Sequence, residues 1–227
     1  AVLSPILKEG IIPIVSGFCG STKAGTITTL GREGSDYSAS ILAESLLADE
    51  LWIWSDVNGI LTSDPALFED AVQIPEMSYD EVYELAFNGA RVLHPKTIFP
   101  AKKAGIPIRV RNTFEPDNPG TLICKECKAD RNLVKAVTSN ESVSLISLKK
   151  RSTEDSALLE EQAKDVLKQE GIDLIGAFQS QSSPTLHLAL SAEIPDAKFE
   201  KVEKILNNVL PGRSFSRLKA KNNKAIV

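Results

Sequence analysis

Residues 26–56 read TITTLGREGSDYSASILAESLLADELWIWSD, and the hydrophobic period changes twice along them. Thr26 to Leu30 is β-branched and reads as a strand, and Gly31 to Asp36 reads as a turn that ends in a Ser/Asp helix cap. Tyr37, Ile41, Leu42, Ser45 and Leu46 then share one face at helical spacing, and ELWIW (50–54) returns to a short apolar run. Upstream, IIPIVS (11–16) is a second such run. Strand, helix, strand is the building unit of an α/β sheet.

The pattern continues outward. Asn58-Gly59 and Asp64-Pro65 mark a long polar loop. Ser78 and Glu81 have the spacing of a capping box, and the helix behind them carries Val82, Leu85 and Ala86 before Gly89. Pro95 to Ala104 is a helix with Pro at its start and Gly105 beyond its end, followed by a strand PIRVRN (107–112). The expected first unit is therefore α/β, a largely parallel sheet with helices on both faces, closing with a strand at Thr121 to Ile123.

Pro116 to Asn132 is rich in Pro, Gly, Asp and Lys and reads as the boundary region. Beyond it, strands near 134–138 and 143–148 precede a helix with the apolar stripe Leu159, Ala163, Val166 and Leu167. Strands near 172–178 and 185–190, a helix with Phe199, Val202, Ile205 and Leu206, and a strand near 213–218 complete a β-α-β-β-α-β order. That is the ferredoxin-like split βαβ module.

Composition excludes several classes. With 42% hydrophobic and 25% charged residues the chain of 227 is of ordinary globular makeup. A net charge of −4 argues against a nucleic-acid surface, although residues 1–112 hold 9 basic and 14 acidic residues and the remainder 17 and 16. No apolar run approaches the roughly 18 residues of a membrane span, and no export pattern opens the chain. Three cysteines, Cys19, Cys124 and Cys127, point to a reducing, cytoplasmic compartment. The single C-x-x-C has no second pair or nearby His, so no metal site is expected. The chain starts at Ala1 and its one methionine is Met77, which reads as a piece of a longer protein.

Candidate chemistry gathers in three places. Gly31 to Asp36 joins a strand to a helix, where backbone N–H groups and Arg32 suit an anion, although a plain turn with a cap has the same signature. Ser55, Asp56 and Asp64 follow the carboxyl end of a strand, where ligands bind in open sheets, and either aspartate also suits a turn. Arg91 stands just before the helix entry His94-Pro95, and His94 is read as a helix-entry residue without a catalytic role.

Four stretches, TLGREGSDYSA (29–39), WSDVNGILTSDP (54–65), MSYDEVYELAFNGARVLHPKTI (77–98) and IPIRVRNTFEPDNPGTLI (106–123), resemble in order and spacing the aspartokinases of the amino-acid kinase family. By pattern the resemblance extends through 133–227 to the ACT regulatory domain. It implies a kinase-domain C-terminal lobe over 1–124, a linker over 125–132, an ACT domain over 133–221 and the start of a second over 222–227. It implies transfer of the γ-phosphoryl group of ATP, with Mg2+, to the side-chain carboxylate of L-aspartate, the first step of lysine, threonine and methionine synthesis. Arg32, Ser35 and Asp36 would bind aspartate, and Ser55, Asp56, Asp64 and Arg91 the nucleotide. Asp173 would receive the ammonium of an amino-acid effector, lysine first among them, in a homo-oligomer paired through ACT domains.

Departures from the family pattern are Leu61 for a tyrosine, Ala66 for an arginine and Arg91 for a lysine, whose compact ammonium a planar guanidinium does not replicate. The isolated chain is expected to be inactive as a kinase, for want of the family's N-terminal lysine motif. The alternatives are a non-catalytic regulatory subunit and a kinase acting on a glutamate-like substrate.

Overall fold

A computed structural model describes residues 2–31, 33–90, 92–127, 134–140, 143–149, 156–172, 174–179, 185–190, 195–210, 214–218 and 225–226. Its chain contacts divide it into two units, Ala1–Thr138 and Ser139–Val227.

In the first unit, helix α1 (Leu3–Lys8) leads to an antiparallel hairpin, β1 (Cys19–Ser21) with β2 (Ile27–Thr29). Helix α2 (Gly34–Leu46), strand β3 (Leu51–Ser55), strand β4 (Glu76–Ser78), helices α3 (Tyr79–Phe87) and α4 (Pro95–Ala104), and strands β5 (Ile108–Asn112) and β6 (Thr121–Cys124) follow. The sheet order is β3-β5-β6-β4. β3 pairs parallel with β5 and β4 with β6, whereas β5 and β6 run antiparallel across a turn of residues 113–120. Gly120 makes that turn possible: at φ +70 a Cβ would lie 1.9 Å from the Val110 carbonyl oxygen.

Alternation along the strands sets the layers. Leu51, Ile53, Ile108, Val110 and Ile123 are buried in one core with Ala43 of α2, Val82 of α3, and Ile98 and Ala101 of α4, so the three helices cover this face. The opposite face presents Trp52 and Trp54, both half-exposed, with the Arg111 guanidinium 4.6 Å and 5.0 Å from their ring centroids.

Two local expectations are corrected. Residues 11–16 form no strand: this apolar run pairs with no sheet edge among the described residues, and Ile12 and Ile14 are 87% and 99% exposed. A strand exists only where a neighbour takes up its N–H and C=O groups, and Pro13 has already removed one donor. The strand expected near 134–138 is likewise absent; Val137 N–H bonds to Thr62 O and Ala136 packs against the first core.

The second unit opens on β7 (Ser139–Asn140), then β8 (Ser144–Lys149), α5 (Ser156–Gln169), β9 (Leu174–Gln179), β10 (Thr185–Leu190), α6 (Asp196–Val209), β11 (Ser214–Leu218) and β12 (Ala225–Ile226), the last paired with β7. Its four-stranded sheet is antiparallel in the order β11-β8-β10-β9. The stripes Leu159, Ala163, Val166 and Leu167 of α5 and Val202 and Leu206 of α6 are buried against Ile146, Leu148, Leu186, Leu188 and Leu190. On the other face His187 stacks on Phe178 at 5.0 Å and meets Ser147 Oγ through Nδ1 at 2.9 Å.

Candidate functional site

Chain direction brings the predicted residues to one end of the first unit. Only residues 47–50 separate α2 from β3, and residues 105–107 separate α4 from β5, each reversal using a left-handed residue, Leu47 or Gly105. Each helix runs back along its strand, so its N-terminus stands where the strand's carboxyl end lies. Ser35 and Asp36 in the first turn of α2, His94 at the cap of α4, Ser55 at the end of β3 and Asn112 at the end of β5 therefore share that end.

The entry to α2 differs from the expected cap. The capping position is Glu33, in the left-handed region at φ 57 with no side-chain cap bond, and Ser35 and Asp36 lie inside the first turn. Asp36 accepts a hydrogen bond from Ser35 Oγ at 3.3 Å, and its carboxyl is held above the ordinary range. Burial is the cause; the Ser35 bond and the neighbouring His94 oppose it. The backbone here is tightly seated. Phe18, at φ 71, donates its N–H to Ser38 Oγ at 3.0 Å, and a Cβ on Gly34 would meet Leu30 Cβ at 2.8 Å.

Loops after β3 and β5 are tied to each other. Asn112 Nδ2 donates to Asn58 Oδ1 at 2.8 Å, Asn58 Nδ2 to Glu115 Oε2 at 2.9 Å, and Phe114 N–H to Asn112 Oδ1 at 2.9 Å. Asn112 is buried. Behind them Thr121 Oγ1 accepts from Ile60 N–H at 2.8 Å and donates to Ile74 O at 2.6 Å. Sequence reasoning took Asn58 as a turn former and passed over Asn112; its signal was a polar residue closing an alternating strand.

Ser55 Oγ donates to Asp56 Oδ1 at 3.1 Å, and Asp56 is exposed. Asp64 is also exposed, and one of its oxygens accepts from Ala66 N–H at 2.8 Å, so it holds its own turn. Arg32, Arg91 and Asp173 lie outside the described residues. Among the described residues no three His, Cys, Asp or Glu side chains cluster to hold a metal. A protein-made Mg2+ cage does not fit that donor set; Mg2+ carried on substrate phosphates needs no such cage. No described helix is long and apolar enough to cross a membrane.

Two helix N-termini and two strand ends thus share one end of the first unit, the setting in which open α/β sheets bind ligands, with the half-buried Asp36 carboxylate in the first turn of α2. Residues 1–112 match the model of the amino acid kinase family. The chain is 42% identical over 146 residues to lysine-sensitive aspartokinase 3 of Escherichia coli, covering 64% of this chain and 32% of that protein. Among solved structures, E. coli aspartokinase III in complex with aspartate and ADP superposes with a TM-score of 0.75 at 31% identity, over 95% of this chain and 48% of that one. The same enzyme in complex with lysine and aspartate gives a TM-score of 0.66 at 32% identity, with the same coverage. The chain thus spans a quarter to a half of the length of relatives it matches.

Proposed function

Residues 1–112 belong to the amino acid kinase family, and from that premise we propose that the chain is part of an aspartokinase, transferring the γ-phosphoryl group of ATP to the side-chain carboxylate of L-aspartate. The observation that carries this reading is the convergence of the α2 N-terminus, with Ser35 and Asp36, on the carboxyl ends of β3 and β5. Phosphoryl transfer joins two anions through a transition state whose charge spreads over oxygens, so positioning and cations supply the catalysis.

In this reading Arg32 grips the aspartate α-carboxylate through a bidentate pair, and Ser35 and Asp36 orient its ammonium. Ser55, Asp56 and Arg91 face the nucleotide, while Asp64 shapes the loop and keeps one oxygen for it. Mg2+ would arrive with ATP. The first unit corresponds to a kinase lobe over 1–124 and a linker over 125–132.

An ACT module is proposed over 133–221, most of it in the second unit, with 222–227 opening another. Its β-α-β-β-α-β order and sheet order support this. Lysine is the effector proposed for it, with Asp173 as ammonium partner, in a homo-oligomer paired through these modules. The three free cysteines support a cytoplasmic, reducing setting.

Aspartate binding tests the site directly. Calorimetric titration should give Arg32→Ala a ten- to hundredfold weaker aspartate affinity, roughly the 1.5–3 kcal/mol of a charge-assisted contact, with ATP affinity nearly unchanged. Equal losses for both ligands would contradict the assignment. Calorimetry with lysine, threonine and methionine, in wild type and Asp173→Ala, tests the effector; no heat from any of them leaves a module that only dimerises.

A further inference from the structure

Two of the three cysteines lie three residues apart where β6 ends, and the fold gathers them at one point. Cys124, the last residue of β6, pairs in register with Ser78 of β4. The Ser78 N–H is accepted by Glu81 Oε2 at 2.7 Å, and the same Glu81 oxygen lies 3.8 Å from Cys127 Sγ. Both cysteines therefore sit beside Ser78. Cys124 Sγ also turns along the chain toward its neighbour: it donates to Glu126 O at 3.3 Å, and that oxygen belongs to the planar peptide unit joining Glu126 to Cys127. Lys125 and Glu126 are exposed, and both cysteines are free and partly exposed, so a small solute reaches the pair.

We propose that Cys124 and Cys127 form a reversible dithiol/disulfide site, oxidised by a low-molecular-weight disulfide of the glutathione class. The surroundings of the two sulfurs assign their roles. Lys135 Nζ stands 3.9 Å from Cys127 Sγ and pairs with Glu81 Oε1 at 2.8 Å, so a cation faces the sulfur that attacks. Burial, and after it the charges of Cys127, Glu76 and Glu126, hold the Cys124 thiol above its ordinary range, so it stays protonated and acts second. In the first step the Cys127 thiolate bonds to one sulfur of the small disulfide, whose S–S bond breaks to release one small thiolate. In the second, Cys124 gives up its proton and attacks Cys127 Sγ, expelling the other small thiolate. The two thiol protons end on the two released thiols; the protein pair loses two electrons and the small disulfide gains them. In a reducing compartment such a pair senses redox state rather than stapling the fold. None of this depends on the function proposed above.

Mass spectrometry of the whole chain, incubated with oxidised glutathione and then alkylated with iodoacetamide, tests the pair directly. A chymotryptic peptide spanning residues 124–127 should lose two hydrogens and carry neither glutathione nor alkyl group, and dithiothreitol should reverse the change. Cys19, exposed on β1, is the internal control and should carry glutathione. The pair should oxidise at a ratio of oxidised to reduced glutathione about tenfold lower in the folded chain than in the chain unfolded in urea. Among single-cysteine sites, Cys127 in Cys124→Ser should take up glutathione about tenfold faster than Cys124 in Cys127→Ser, and Lys135→Met should narrow that gap. Cys124 and Cys127 both left alkylated while Cys19 carries glutathione, or both held as separate mixed disulfides, overturns the proposal. A pair no easier to oxidise folded than unfolded overturns it equally, and a faster Cys124 overturns the assigned order of attack.

Discussion

Gly59 and Gly31 both sit at positive φ, +91 and +86, yet their neighbourhoods differ. A Cβ at Gly59 would come within 2.4 Å of Thr121 Oγ1, the hydroxyl that bridges Ile60 and Ile74, whereas a Cβ at Gly31 meets nothing within 4 Å. Gly59→Ala should therefore cost strain plus a displaced bridge, about 2–4 kcal/mol, and Gly31→Ala strain alone, about 1–2 kcal/mol. Urea unfolding reads the difference, and equal losses would contradict it. Asp36 makes the opposite case: burial holds its carboxyl above the ordinary range, so Asp36→Asn should melt no lower than wild type while weakening aspartate binding. The Asn-Gly turn was legible at residue scale because the dipeptide is itself the signal. Thr121 and Asn112 were not, since their partners Ile60, Ile74 and Asn58 are brought to them only by the folded sheet.

At the scale of elements, α3 shows what local chemistry can specify. Ser78 Oγ accepts the Glu81 N–H at 3.2 Å and Glu81 Oε2 accepts the Ser78 N–H at 2.7 Å, the capping box read from the spacing alone. Ser78→Ala should cost about 1 kcal/mol in thermal or urea unfolding, and an unchanged midpoint would show the cap idle. Burial acts to raise the Glu81 carboxyl, but the ion pair with Lys135 at 2.8 Å and the Ser78 bonds outweigh it and hold it low. A depressed carboxylate contributes stability that is present above its unfolded pKa and lost as pH falls through the folded one. Wild type should accordingly lose more stability than Glu81→Gln on acidification below about pH 4.3. Where an element depends on distant chain, the sequence misleads: residues 11–16 have a strand's composition and no strand partner, and α2 starts at a left-handed Glu33 that no capping rule selects.

For the whole molecule, the second unit was legible nearly strand by strand because each helix stripe and each alternation is complete in the segment that carries it. Leu159, Ala163, Val166 and Leu167 needed no outside partner to declare a helix face, and all four are buried. The first unit was legible as α/β, with two of the three pairings in its four-stranded sheet parallel; the antiparallel pairing of β5 and β6 depends on a Gly120 turn whose direction composition does not encode. Of the candidate site, Ser35, Asp36, Ser55 and Asp56 were proposed from sequence, and the structure places them at the end of the first unit where two helix N-termini and two strand ends lie. This end is proposed to serve phosphoryl transfer to a small dicarboxylate amino acid. The most direct measurement joins the chain to the portion of its relatives that it does not span and traps the acyl phosphate with hydroxylamine in the presence of ATP, with aspartate or glutamate as acceptor. Aspartyl hydroxamate is the expected product, formed only with both ATP and aspartate and greatly reduced by Asp36→Asn; ATP turnover that yields glutamyl hydroxamate and no aspartyl product would overturn the proposed function.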